Sequence, residues 1–287
     1  MLRIFVKNSL TICLLPILAA CANHVFVPSE QQWQQTPMDH GYDFLDQYIL
    51  VADNTLLNAW LIPSVRQSRL GAIIYFHGNA NNISYHIEQV SWLVDSGYDV
   101  LMVDYRGYGA SEGDIDLHKT VDDVAYALAW FQRQYPDDTR QYVLGQSLGG
   151  SLAAYVLGTR EDLAENIDAV ILDAAFARYR QIMRDVMAAH WFTAMLRYPA
   201  SLFMPSRYDP LPVIGNISPI PVLILHNKQD QVVDYQHALD LYAHAGEPKK
   251  LLNYTEPHIR GFREAHVREA VLQFLAESPG VSENSEN

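Results

Sequence analysis

The stretch Tyr142-Val143-Leu144-Gly145-Gln146-Ser147-Leu148-Gly149-Gly150 runs three apolar residues into a serine fenced by glycines, and residues 148–158 carry helical spacing. A short apolar run, a Gly-x-Ser-x-Gly turn and a helix, in that order, match the nucleophile elbow, in which a serine is held at a strained strand-to-helix turn. Glycines on either side let strand and helix approach where Cβ atoms would clash. The other reading is a glycine-rich turn whose serine caps the helix, since serine is a favoured N-cap. The strand before and the helix after favour the nucleophile.

Outward from this turn, short apolar runs alternate with helix-length segments. Residues 72–76, 100–103, 142–144, 169–172, 222–225 and 251–254 are predicted strands, several of them rich in Val and Ile without alternation, as expected where both sheet faces are covered. Residues 83–94, 120–135, 148–158, 235–245 and 261–275 are predicted helices. From Tyr48 two apolar runs flank the turn signal Asp53-Asn54 and read as a β-hairpin. An antiparallel start followed by β-α repetition predicts one α/β domain with a mainly parallel sheet. Residues 177–217 break the rhythm with an insertion rich in large side chains, which by default is packing.

An α/β sheet binds ligands outside the carboxyl ends of its strands. The residues just after the apolar runs are His77-Gly78-Asn79, Asp104, Ser147, Asp173, His226 to Asp230, and His258. A serine hydroxyl needs a base, and the base needs an orienting acid. In this kind of elbow they follow in the order Ser, Asp, His. Asp230 and His258 satisfy the order. Asp173 is the rival acid and His266, on the final predicted helix, the rival base; the ordering favours the first pair. His77 and His226 fall in turns where structural roles are commoner. Acyl transfer also requires donors for the oxyanion, and the amides of Leu148 and Asn79 stand where that pattern puts them.

Three segments now carry a resemblance: His77-Gly78-Asn79-Ala80, the run from Asp104 to Gly113 (DYRGYGASEG), and Gly145 to Gly150. Together they resemble the α/β-hydrolase superfamily, and within it the branch often labelled serine aminopeptidase-like or ABHD-type. The resemblance covers residues 48–276. It implies an α/β-hydrolase fold with a mainly parallel eight-stranded sheet, helices on both faces, a Ser147, Asp230, His258 triad and no cofactor, and a metal site is not expected because the scattered His and Asp have no ligand spacing behind them. It also implies a short helical cap inserted at about residues 177–217, whose Trp191, Phe192, Met195 and Phe203 would line an acyl pocket. Two positions depart from the family: Asn227 stands where a glycine usually follows His226, and Ile259 follows His258 where many members carry a small or polar residue.

The N-terminus reads separately. Arg3 and Lys7 precede an apolar run from Leu10 to Ala20, eleven residues, where a bilayer span needs about 20. It is an export signal, residues 1–20. Leu18-Ala19-Ala20-Cys21 resembles the lipobox of bacterial lipoproteins, which implies lipidation of Cys21; the alternative is an ordinary signal peptide cut nearby. Ala22 after Cys21 points, by the same resemblance, to the outer membrane. Residues 21–47 are polar and proline-marked, a tether packed partly on the domain, and 277–287 are a polar tail. The only other cysteine, Cys13, lies in the removed segment, so no disulfide framework is expected. A formal charge of -13 without a basic run gives nucleic-acid binding no source. P-loop, Gly-x-Gly-x-x-Gly, His-Glu-x-x-His and Cys-x-x-Cys patterns are missing from the sequence.

The expectation is an exported, lipid-anchored serine hydrolase cleaving carboxylic esters or thioesters of a small-molecule acyl substrate. The alternatives are a serine peptidase of the same fold, which would need a carboxylate such as Glu112 or Asp114 to hold a substrate ammonium, and a tethered binding protein without turnover. Oligomeric state is left open.

Overall fold

The computed structural model describes residues 31–136, 139–188 and 191–278. Eight strands form one sheet in the order β1-β2-β4-β3-β5-β6-β7-β8. They are β1 (Leu45–Leu50), β2 (Leu56–Ile62), β3 (Gly71–Phe76), β4 (Tyr98–Val103), β5 (Gln141–Gln146), β6 (Ala169–Asp173), β7 (Val222–Asn227) and β8 (Lys249–Tyr254). The first two form the expected hairpin, with Asn54 at φ 62 in its turn. β2 also pairs antiparallel with β4, and the remaining neighbours are parallel. The sheet begins at Leu45, three residues earlier than the reading from Tyr48.

The unalternating runs are explained by what covers them. Every residue of β3, β4, β5, β6 and β7 is buried, and successive side chains leave the pleat toward opposite faces. Ile74, Leu101, Val143 and Val170 enter one core with α2 (Leu117–Gln132), α3 (Leu148–Thr159) and α8 (Tyr235–His244). Ile73, Val100, Leu144 and Ile171 enter the other with α1 (Ile87–Ser96) and α9 (Ala265–Glu277). Each fully buried aliphatic side chain stabilises by roughly 1.5–3 kcal/mol. Helix α2 starts where Asp116 accepts from the Lys119 amide at 3.0 Å, and α1 stops at Gly97, φ 111.

Residues 31–44 lie against the sheet. Trp33 and Phe44 meet the fully buried Trp60 of β2 edge-on, with centroids 5.1 and 5.4 Å apart. The Gln34 amide donates to Ser84 Oγ at 3.0 Å. The described part of the expected tether is therefore docked, while residues 1–30, with the expected export signal and the expected lipidation site Cys21, lie outside the described residues, as does the tail from 279. Between β6 and β7 the insertion holds α5 (Tyr179–Ala188), the short helices α6 (Trp191–Ala194) and α7 (Arg197–Ser201), and two 3-10 turns. The one-turn helix α4 (Glu161–Ala164) follows α3.

Candidate active site

Ser147 sits between β5 and α3 with φ 50 and ψ −113, a conformation that costs a non-glycine residue about 1–3 kcal/mol. Its surroundings hold it there. The Ser147 amide donates to Asp173 O of β6 at 2.8 Å, and its carbonyl accepts from the Ser151 amide at 3.1 Å. Close packing explains the glycines: a Cβ on Gly149 would stand 2.1 Å from Phe76 O, and one on Gly145 2.5 Å from Gly150 Cα. The elbow expected from the sequence is present, and its serine is 8% exposed.

The turns after β7 and β8 bring Asp230 and His258 together, His258 Nδ1 lying 2.7 Å from Asp230 Oδ2. The other carboxylate oxygen accepts from the Val232 and Val233 amides at 2.8 and 3.0 Å. Burial works against the charge of Asp230, yet the His258 contact and these amides hold its carboxyl below the usual range. Asp173 is differently engaged. Its Oδ2 accepts from Gln146 Nε2 at 2.7 Å and its Oδ1 from the Tyr254 hydroxyl at 2.9 Å. Complete burial pushes it up to about 6 against these hydrogen bonds. His266 is exposed beside Glu264. His226 is buried at 2.9 Å from Val233 O, and His77 is buried beside Asp104.

A cavity of about 500 Å³ opens over the carboxyl ends of the strands and is lined by Ser147, His258, Asn79 and Leu148 together. The Asn79 segment is braced by the run from Asp104 to Gly113. Tyr108 Oη donates toward Asn79 O and Oδ1, 3.1 and 3.2 Å away, and Tyr105 Oη donates to His77 O at 2.8 Å. Arg106 fixes the run from beneath, gripping buried Asp123 through Nε and Nη2, each at 2.6 Å.

Residues 71–203 match the family described as alpha/beta hydrolase fold. Protein YfhR of Escherichia coli strain K12, named as uncharacterized, is 34% identical over 231 residues, covering 78% of this chain and 77% of that protein. The chain belongs to the α/β-hydrolase family. A zebrafish (Danio rerio) protein named lysophosphatidylserine lipase ABHD12 is 30% identical over 64% of this chain and 50% of its own length. The Pyrococcus furiosus esterase Pf2001 superposes with a TM-score of 0.70 at 22% identity, over 87% of this chain and 96% of that one.

In this α/β hydrolase the two departures noted in the sequence have structural roles. Asn227 Nδ2 donates to Thr255 O at 3.2 Å and Glu256 O at 2.7 Å, tying the end of β7 to the turn that presents His258. Ile259 adopts φ 55, and its carbonyl accepts from Gln146 Nε2 at 3.1 Å. Gln146 thus joins the nucleophile turn to the histidine turn. Its Oε1 accepts from Tyr75 Oη at 2.5 Å, and that hydroxyl lies 3.2 Å from His86 Nδ1. Sequence reasoning missed this network, because Tyr75 read as a strand residue and Gln146 as the unspecified position of the Gly-x-Ser-x-Gly turn, and their partners are distant in the chain.

The cap differs from its expected form. Trp191 and Met195 are each 87% exposed and Phe192 63%, and neither they nor Phe203 line the catalytic cavity. The reason is orientation: α6 lies outermost, and α5 supplies the wall through Tyr179, Ile182, Met183 and Val186, joined by Met204 and Phe176. These four α5 residues stand at i, i+3, i+4 and i+7, a spacing that marks one helix face. That spacing was the available signal. Glu112, which accepts from the Leu56 amide at 3.0 Å, and Asp114 lie outside the lining, which contains no carboxylate side chain among the described residues.

Proposed function

We propose that the protein is a serine hydrolase that cleaves carboxylic ester or thioester bonds through Ser147, His258 and Asp230. The observation that carries this reading is the 2.7 Å His258 Nδ1 to Asp230 Oδ2 contact beside a serine at a strained elbow, with serine and histidine lining one cavity. Ser147 Oγ attacks the acyl carbon as its proton passes to His258 Nε2, and Asp230 holds the imidazole and stabilises its charged form. The amides of Asn79 and Leu148 receive the oxyanion, a role in which one donor is worth about 2.7–4 kcal/mol. Collapse breaks the bond to the leaving oxygen or sulfur, which takes the proton from His258. Water then repeats the sequence on the acyl-enzyme and releases the acid.

The apolar wall from α5 supports an acyl substrate, and the lipase and esterase names of the relatives point the same way. A cavity lining without a carboxylate weighs against the peptidase alternative, which needs an anion for a substrate ammonium. The test is hydrolysis of p-nitrophenyl esters from acetate to palmitate by residues 22–287. Wild type is expected to turn over and Ser147→Ala to lose at least about 10³-fold in kcat; equal rates for the two proteins contradict the reading.

We also infer a lipid anchor at Cys21, placing the domain on the periplasmic or extracellular side of a bacterial membrane, by the lipobox resemblance. No helix among the described residues is long and apolar enough to cross a membrane. Metabolic labelling with an alkyne fatty acid should mark the wild type and not Cys21→Ser; equal labelling of both refutes the anchor.

A further inference from the structure

Among the described residues, Arg260 is the one permanently charged residue lining the catalytic cavity. The rest of the lining is apolar side chains, amides, hydroxyls and two imidazoles. Of these, His86 is buried beside His77, which holds it down to about 3, so it is neutral at working pH. Arg260 also has no ion-pair partner among the described residues. Arg263, one turn on, takes the Glu256 carboxylate at 3.9 Å. The Arg260 guanidinium instead meets a neutral amide. In the Gln89 orientation that satisfies both groups, Nη1 donates to the Gln89 oxygen at 2.6 Å while Gln89 nitrogen donates to Ile259 O at 2.9 Å.

One of five guanidinium N–H donors is so engaged. This is unexpected in a chain with 33 acidic and 20 basic residues, where a carboxylate partner for a structural arginine is easily supplied. A partly desolvated cation without a counter-charge is costly, and the cost is recovered when a ligand brings the anion. Gln89, 4% exposed, holds the planar group in place, and a fixed guanidinium suits bidentate binding of phosphate or carboxylate.

The sheet order sets the position of this charge relative to the reacting serine. β5 lies between β3 and β6, so the segments that follow those two strands flank Ser147 on opposite sides. On the β6 side stands the apolar wall of Phe176, Ile182, Met183 and Val186. On the β3 side the lining is Asn79, Asn81, Tyr85 and His86, and the Gln89 contact brings Arg260 to that side. The cavity is apolar on one flank of the nucleophile and polar with a cation on the other.

We propose that Arg260 is a specificity-determining residue that receives an anionic group, phosphate or carboxylate, on the alcohol side of the scissile ester. The preferred substrate is then an amphiphile with its acyl chain along the α5 wall and a negative head at Arg260. The proposal rests on the serine-hydrolase reading of the same site and adds the charge of the substrate to it.

The experiment compares kcat/KM for three esters with one acyl chain: 1-dodecanoylglycerol, its 3-phosphate and 3-dodecanoylglycerate, each below its aggregation concentration. Enzyme concentration is set by active-site titration with a fluorophosphonate. Wild type should favour at least one anion over the neutral ester by roughly 10- to 100-fold, the range of a charge-assisted hydrogen bond. The phosphate and carboxylate arms show which anion is read. Arg260→Gln should bring the ratio near one, Arg260→Lys should keep part of it, and Arg263→Gln, outside the cavity, should leave it unchanged. A wild type without anion preference, or Arg260→Gln with the preference intact, overturns the proposal while titration of Ser147 leaves the hydrolase reading standing. Failure of Ser147 to titrate removes the hydrolase reading and this proposal with it.

Discussion

At the scale of single residues, two carboxylates at neighbouring strand ends behave in opposite ways because of what touches them. Asp230 is held below the usual range, burial being outweighed by His258 and two amides. Its contribution to stability is present above the unfolded carboxylate value of 3.8 and is lost as pH falls through the lower folded value. Asp173 runs the other way, pushed up to about 6 by burial. The folded state then holds a proton that the unfolded state has lost, so stability falls as pH rises from 3.8 to about 6 and is flat in this respect above. Urea midpoints of wild type against Asp173→Asn should show that slope in the wild type alone; parallel profiles exclude it. Asp230→Asn should keep the fold and lower kcat by about 10⁴-fold, read in an ester assay. The order Ser, Asp, His was enough to choose between these two acids from the sequence. The partners of Asp173 were illegible there, since Gln146 and Tyr254 lie 27 and 81 residues away in the chain.

At the scale of elements, the elbow and the cap show what local pattern does and does not encode. Strand, glycines and helix around Ser147 are contiguous, and their steric demand is local enough to be legible. Gly149→Ala puts a Cβ 2.1 Å from Phe76 O and 2.5 Å from Phe76 C, backbone atoms of β3 that cannot yield. Destabilisation by about 3 kcal/mol or more is expected in chemical denaturation, and a variant of wild-type stability would contradict the packing account. In the insertion, size alone drew attention to Trp191, Phe192 and Met195, whereas the helical period of α5, which was not used, marks the inner face. Val186→Trp should therefore shorten the preferred acyl chain in the p-nitrophenyl ester series, while Trp191→Ala leaves the profile as it was. The reverse pattern would restore the outer helices as the pocket wall.

At the scale of the whole molecule, the alternation of β and α segments conveyed one doubly covered sheet. Strand order was beyond it, because placing β4 between β2 and β3 depends on pairings remote in sequence. The same limit hid the partners of residues 31–44, a polar segment with no period for which partial packing on the domain was expected and whose Trp33 and Phe44 pack on Trp60 from another part of the chain. Removing residues 22–44 uncovers Trp60 and should cost about 2 kcal/mol or more relative to a chain starting at residue 22. Equal melting of the two chains would make the segment a loose tether. The formal charge of -13 disfavours long-range attraction of anions, and screening confines that effect to about 10 Å at 0.1 M salt. Selection for an anionic head, as inferred for Arg260, is thereby a property of the cavity and not of the surface.

The central claim is that Ser147 is an activated nucleophile. Intact mass and peptide mapping after reaction with a fluorophosphonate test it directly. One adduct per chain, located on Ser147, absent from Ser147→Ala and forming far more slowly in His258→Ala, is the expected result. Ester hydrolysis that persists without an adduct on Ser147, or an adduct mapped to another residue, would contradict the account.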